Sequence, residues 1–132
     1  MSVEEKDAIV VVDDEPEMRS LLSDFLRSRG YSVECFSSAT DFLDNLGHRE
    51  VKAVVSDIHM KPMDGIELLK SVKKTRPEIP VVLMTAFSDS HDETMAKAEG
   101  AFGYLAKPFP LSALNDLLYR AIRQRDGVHV KK

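Results

Sequence analysis

No stretch of the 132-residue chain is apolar over the roughly 18 residues that a membrane-spanning helix needs. Its first residues, MSVEEKDA, are acidic where a secretory signal is basic and then apolar, so a cytoplasmic protein is expected. A single cysteine, Cys35, excludes an internal disulfide, and a buried apolar role is expected for it. The histidines, His48, His59, His91 and His129, lack the close spacing with one another or with cysteine that a zinc site requires. Also missing are the GxxxxGKS or GxxxxGKT loop and any GxGxxG after an apolar run, which removes the common nucleotide-binding loops. Positive charge is short as well. A net charge of −4 speaks against a nucleic-acid-binding surface, which needs clustered Lys and Arg. The late basic group Arg120, Arg123, Arg125, Lys131 and Lys132 reads as cations favoured at a helix C-terminus, followed by a solvated tail.

What remains is an ordinary globular composition, 43% hydrophobic and 30% charged, at a length that fits one domain. Residues 1–7 are polar and expected to be flexible, residues 8–125 contain no linker and form the folded unit, and residues 126–132 read as a polar tail or linker. Five short apolar runs read as strands: Ala8 to Val12, Ser32 to Phe36, Ala53 to Val55, Val81 to Met84 and Phe102 to Leu105. The first, third and fourth are apolar with hardly any alternation, the pattern of parallel strands covered on both faces. Between them the period changes to that of a helix. Met18, Leu21, Leu22, Phe25 and Leu26 form one stripe, and Leu111, Leu114, Leu117, Leu118, Ala121 and Ile122 form another, both expected to face the sheet. Phe42, Leu43 and Leu46 mark a short helix, and Ile66, Leu68, Leu69 and Val72 mark one opened by Asp64-Gly65. The segment from Asp89 to Gly100 has only Met95, Ala96 and Ala98 as anchors, so its helix should be held loosely. The alternation is five βα units around a central parallel sheet, an α/β doubly wound fold.

Such sheets bind ligands beyond the carboxyl ends of their strands. Those ends carry Asp13 and Asp14 after the first run, Asp57 after the third, Thr85 after the fourth and Lys107 after the fifth. Taken singly, an aspartate in such a place reads as a cap or turn residue. Asp14 is placed to cap the helix that begins near Glu15-Pro16 and still keep an oxygen for metal, Asp64 is read as a cap or turn residue, and Glu15 as a favourable charge in a first helical turn. Taken together, three carboxylates that close would force one to keep its proton unless a cation sat among them. A hard divalent ion with oxygen ligands answers this, and the group reads as a site for Mg²⁺ and a phosphoryl group.

The arrangement Asp13-Asp14, Asp57, Thr85 and Lys107-Pro108 resembles the receiver domain of two-component response regulators, the CheY-like superfamily, over about residues 8 to 124. Met60, Met63-Asp64-Gly65, Ala86 after Thr85, and Tyr104 three residues before Lys107 agree with it. The resemblance implies a flavodoxin-like (βα)5 fold with strand order 2-1-3-4-5. It implies a phosphorelay switch rather than an enzyme that turns over a metabolite. Asp57 would take a phosphoryl group from a sensor histidine kinase or phosphotransfer protein. Asp14, Asp57 and the backbone carbonyl of His59 would bind Mg²⁺ or Mn²⁺ directly, and Asp13 through a water. Lys107, on a cis peptide bond to Pro108, and Thr85 would contact the phosphoryl oxygens. Thr85 and Tyr104 would form the switch, remodelling the face of the fourth helix, fifth strand and fifth helix so that it pairs with an output domain or a like receiver. Direct nucleic-acid or membrane binding is not part of this expectation.

Two places depart from the family pattern. Lys61 stands where the family usually has proline, with Pro62 following, so the loop path after Asp57 is expected to differ locally. His59 and Phe87 occupy positions that in this family tune loss of the phosphoryl group, and neither orients a water as an amide or carboxylate does. They are expected either to shield the acyl phosphate or to be solvent-facing rim residues with no kinetic role. Two other classes fit less well. A Mg²⁺-dependent phosphohydrolase with an Asp nucleophile needs a second acid where His59 stands, and a flavodoxin-like cofactor binder needs a Ser/Thr/Gly-rich loop where Asp13-Asp14-Glu15-Pro16 stands.

Overall fold

All five residues of β1 (Ala8–Val12) are buried. Side chains alternate across a strand, so one that is apolar on both faces belongs in a sheet covered on both sides. That is its place in the computed structural model, which describes residues 8–86 and 90–127. The chain continues through α1 (Pro16–Ser28), β2 (Val33–Phe36), α2 (Ala39–Leu46), β3 (Val51–Asp57), α3 (Gly65–Thr75), β4 (Val81–Thr85), α4 (Ser90–Ala98), β5 (Gly103–Ala106) and α5 (Leu111–Arg125). Every pairing is parallel and the order is β2-β1-β3-β4-β5, the doubly wound flavodoxin-like sheet expected. No helix among the described residues is long and apolar enough to cross a membrane.

The sheet divides two cores. Ile9 and Val11 pack with Leu22 and Leu26 of α1 and Leu114 and Leu118 of α5. Val10 and Val12 point the other way, to Phe42 of α2, Leu68 and Leu69 of α3 and Ala96 of α4. Full burial of a leucine contributes roughly 1.5–3 kcal/mol, and α1, α3 and α5 each bury at least two. In α4 only Ala96 is buried, so this helix is held most weakly, as its composition leads one to expect.

α3 starts with a capping box: Asp64 accepts from the Glu67 amide at 2.9 Å, and Glu67 accepts from the Asp64 amide at 2.9 Å. Asp64 is therefore a cap, as expected. α1 differs. Pro16 opens it, but the cap position belongs to Glu15, not Asp14, and no side chain caps the helix. The expectation for Asp14 fails because the turn is closed one residue earlier, by Asp13. Cys35 is also a correction: it is exposed, because β2 is an edge strand and its side chain lies near the rim of α1, 4.0 Å from the Arg19 carbonyl. β3 runs two residues beyond its expected end, through the fully buried Ser56, whose hydroxyl donates to the Asp57 carbonyl at 2.9 Å. A polar residue satisfied within the strand hides it from an apolar pattern. Arg123 and Arg125 stand in the last turn of α5, the helix-terminal place read for them, where Arg123 lies over the Tyr119 ring and Arg125 pairs with Glu50 and Asp126. Residues 1–7, Phe87, Asp89, His129, Lys131 and Lys132 lie outside the described residues.

Candidate functional site

β1, β3 and β4 are neighbours, with Val12 beside Ser56 and Asp57 beside Met84. Their carboxyl ends are therefore level, and the residues placed there converge. Asp13, Asp14 and Asp57 each offer a carboxylate oxygen, and these oxygens all lie within 4.8 Å of one another. Asp13 is fully buried, Asp57 nearly so, and Asp14 is exposed. The Asp13 amide donates to the Phe36 carbonyl at 3.1 Å, and Asp13 Oδ1 accepts from the Glu15 amide at 2.9 Å, which closes the β1–α1 turn.

Lys107 faces the acids from the opposite wall. Its Nζ is 3.3 Å from Asp13 Oδ2 and 3.5 Å from Asp57 Oδ1. The Lys107 amide donates to the Thr85 carbonyl at 2.7 Å, so the end of β4 holds the residue that carries the ammonium. The Lys107-Pro108 bond is cis, as the resemblance implies, and Lys61-Pro62 is cis as well, in the loop where the pattern departs. Thr85 itself is fully buried.

Burial pushes the Asp57 carboxyl above the usual carboxylate range; Lys107 opposes this, and the Asp13 and Asp14 charges add to it. Asp13 is raised too, again by burial first, with the Glu15 amide and Lys107 pulling it down. Three acids facing one ammonium leave the cluster short of positive charge. An all-oxygen donor set with that deficit fits a hard divalent cation.

The loop after Asp57 is folded tightly against the sheet. The Ile58 amide donates to the Met84 carbonyl at 2.8 Å, and the Gly65 amide returns to the Ile58 carbonyl at 2.8 Å. A Cβ on Gly65 would stand 2.3 Å from the Asp57 carbonyl oxygen, so only glycine lets α3 begin against the backbone of the site. The sequence marks Gly65 as part of a turn, but this contact is seen only once α3 is in place. His59 is exposed, with Nε2 3.2 Å from Asp92 Oδ2 on α4. Tyr104 is half-buried against the α2–α4 side of the sheet, and its hydroxyl is already out of solvent. Asp13, Asp14, Asp57, Thr85 and Lys107 thus lie at the carboxyl ends of their strands, with His59 in the loop after β3, whereas Tyr104 sits inside β5 and beside Leu83 of β4. Arg19, not singled out in the sequence, donates from Nη1 to the Asp13 carbonyl at 2.7 Å.

The profile of the response regulator receiver domain matches residues 9–119. The DNA-binding transcriptional regulator NtrC of Klebsiella pneumoniae is 40% identical over 112 residues, which are 85% of this chain and 24% of that protein. The transcriptional regulatory protein FixJ of Bradyrhizobium diazoefficiens is 39% identical over 121 residues, 92% of this chain and 59% of that protein. The chain thus spans about a quarter of the one relative and less than two thirds of the other. Among solved structures, a response regulator receiver domain protein from Clostridium thermocellum superposes with a TM-score of 0.84 at 28% identity, covering 94% of this chain and all of that one. The chain belongs to the response regulator receiver domain family of two-component signalling.

Proposed function

We propose that Asp57 is the phosphoacceptor of this receiver domain, taking its phosphoryl group from a phosphohistidine on a sensor histidine kinase or phosphotransfer protein. The observation that carries this reading is the gathering of Asp13, Asp14 and Asp57 within 4.8 Å, faced by Lys107. A carboxylate oxygen of Asp57 attacks phosphorus, the N–P bond breaks, and the donor imidazole leaves with its electron pair and takes a proton. Asp14, Asp57 and the His59 carbonyl would hold Mg²⁺ or Mn²⁺, with Asp13 acting through a water. When bound, that ion neutralises the transferring oxygens and aligns them. Lys107 supplies a second, fixed positive charge to the phosphoryl oxygens, and the Thr85 hydroxyl supplies a donor.

Self-phosphorylation from a small donor and slow loss of the phosphoryl group would follow from the same residues, without turnover of a metabolite. Residues 8–125 would make up the receiver, with 126–132 as a tail or linker to whatever follows, in a cytoplasmic protein. Thr85 and Tyr104 would carry the switch, because they sit on adjacent strands and Thr85 O already holds Lys107. The face that responds is α4, β5 and α5, where α4 is least anchored, and it would engage an output domain or a like receiver.

Incubation with acetyl phosphate and Mg²⁺ followed by intact mass tests the proposal. The wild type is expected to gain one phosphoryl group and Asp57→Asn none; the same gain in both would overturn it. Followed after donor removal, the same assay reads the shielding role of His59: the His59→Asn variant is expected to lose the group faster, and equal decay would remove that role.

A further inference from the structure

Asp14 is the exposed acid of the cluster, and its carboxylate hangs from a three-residue turn, Asp13 to Glu15, that no side chain of the cap position secures. Three other bonds surround it. The Glu15 amide donates to Asp13 Oδ1 at 2.9 Å, and the Arg19 amide donates to the Glu15 carbonyl at 3.1 Å. The Arg19 guanidinium reaches back over six residues to the Asp13 carbonyl at 2.7 Å. Arg19 therefore grips both ends of the turn, one with its main chain and the other with its side chain. The Arg19 side chain is half-buried, and its charge-assisted bond to a carbonyl is stronger than a neutral one.

We propose that Arg19 is a positioning residue for the divalent cation, holding the Asp13 carbonyl so that the Asp14 carboxylate stays beside Asp57. This rests on reading Asp13, Asp14 and Asp57 as the cation site. Its consequence has a sign that simple electrostatics does not share. Removing a cationic side chain near an acidic cluster should, by Coulomb's law alone, tighten binding of another cation. If Arg19 positions Asp14, removing it weakens binding instead. Loss of a group that orients a metal ligand typically costs 10–100-fold in metal affinity.

Mn²⁺ binding measured by electron paramagnetic resonance on wild type, Arg19→Met and Arg19→Lys decides the matter. Methionine keeps an unbranched apolar stem and helix propensity but has no donor, whereas lysine keeps one. The expected result is a Kd raised about ten-fold in Arg19→Met and largely restored in Arg19→Lys. Should Arg19→Met not fold, Arg19→Leu, which also lacks a donor and favours a helix, carries the same outcomes. Binding as tight as wild type, or tighter, without the guanidinium overturns the role of Arg19 while leaving the cation site intact. Absence of Mn²⁺ binding by the wild type overturns both, and so separates the two failures.

Discussion

His59 Nε2 lies 3.2 Å from Asp92 Oδ2, a polar tie between the loop that follows Asp57 and the first turn of α4. The tie matters because α4 buries only Ala96 and has little else to hold it. A partly exposed pair of this kind contributes roughly 0.2–1 kcal/mol, which corresponds to up to about five-fold in a local opening equilibrium. His59→Ala is expected to speed amide exchange across α4 by that factor while leaving the rest of the sheet unchanged. Hydrogen exchange read by mass spectrometry on peptides covering Ser90–Ala98 checks it, and unaltered exchange there would show that the tie carries no weight.

The raised carboxyls of Asp13 and Asp57 give stability a pH dependence opposite to that of most acids. A folded-state pKa above the unfolded one means that the folded chain keeps protons that the unfolded chain releases. The stability this contributes is present below the ordinary carboxylate range and is lost as pH rises through the raised folded values. At neutral pH without divalent cations the cluster is therefore expected to destabilise the fold. Asp57→Asn should be more stable than wild type there by roughly 1 kcal/mol, or about 4 °C in Tm, and the difference should vanish as pH falls into the ordinary carboxylate range. Mg²⁺ should raise the Tm of the wild type more than that of the variant. Thermal unfolding across pH, with and without Mg²⁺, measures both.

Gly65 packs directly against the Asp57 backbone, and a methyl group there meets the Asp57 carbonyl oxygen at 2.3 Å. Backbone cannot step aside as a flexible side chain can. Gly65→Ala is expected to cost roughly 2–3 kcal/mol, seen as a lower urea midpoint with an unchanged m-value. A midpoint equal to that of wild type would mean that α3 and the end of β3 yield at no cost.

The parts of this site that could be read in the sequence are those that sit directly after an apolar run. Val10 to Val12 run into Asp13 and Asp14, and Val81 to Met84 run into Thr85. In a parallel sheet the end of each run is necessarily a neighbour of the others, so sequence position became spatial position. Cys35 was not legible in this way, because whether an edge-strand side chain is covered depends on how far α1 extends over it. Nor was the cap of α1: Asp13 and Asp14 are chemically alike, and only the turn shows that Asp13 closes it. Arg19 and Gly65 act on main-chain atoms, and such contacts leave no residue pattern until the elements are in place.

Beryllofluoride, a stable mimic of an acyl phosphate, should act on the α4, β5 and α5 face if Thr85 and Tyr104 form the switch. With Mg²⁺ it is expected to shift the chain toward dimer in sedimentation velocity, and Asp57→Asn is expected not to respond. An unchanged sedimentation coefficient, together with unchanged exchange over Ser90–Ala98, would contradict a switch at that face.

If Asp57 is the acceptor, one carboxylate alone takes the phosphoryl group. Borohydride reduces an acyl phosphate at a side-chain carboxylate to an alcohol, and tandem mass spectrometry then locates the altered residue. After treatment with acetyl phosphate and Mg²⁺, the reduced residue is expected at Asp57 alone, and to be absent when the divalent cation is chelated. Reduction at Asp13 or Asp14, or at no residue, would rule out Asp57 as the acceptor.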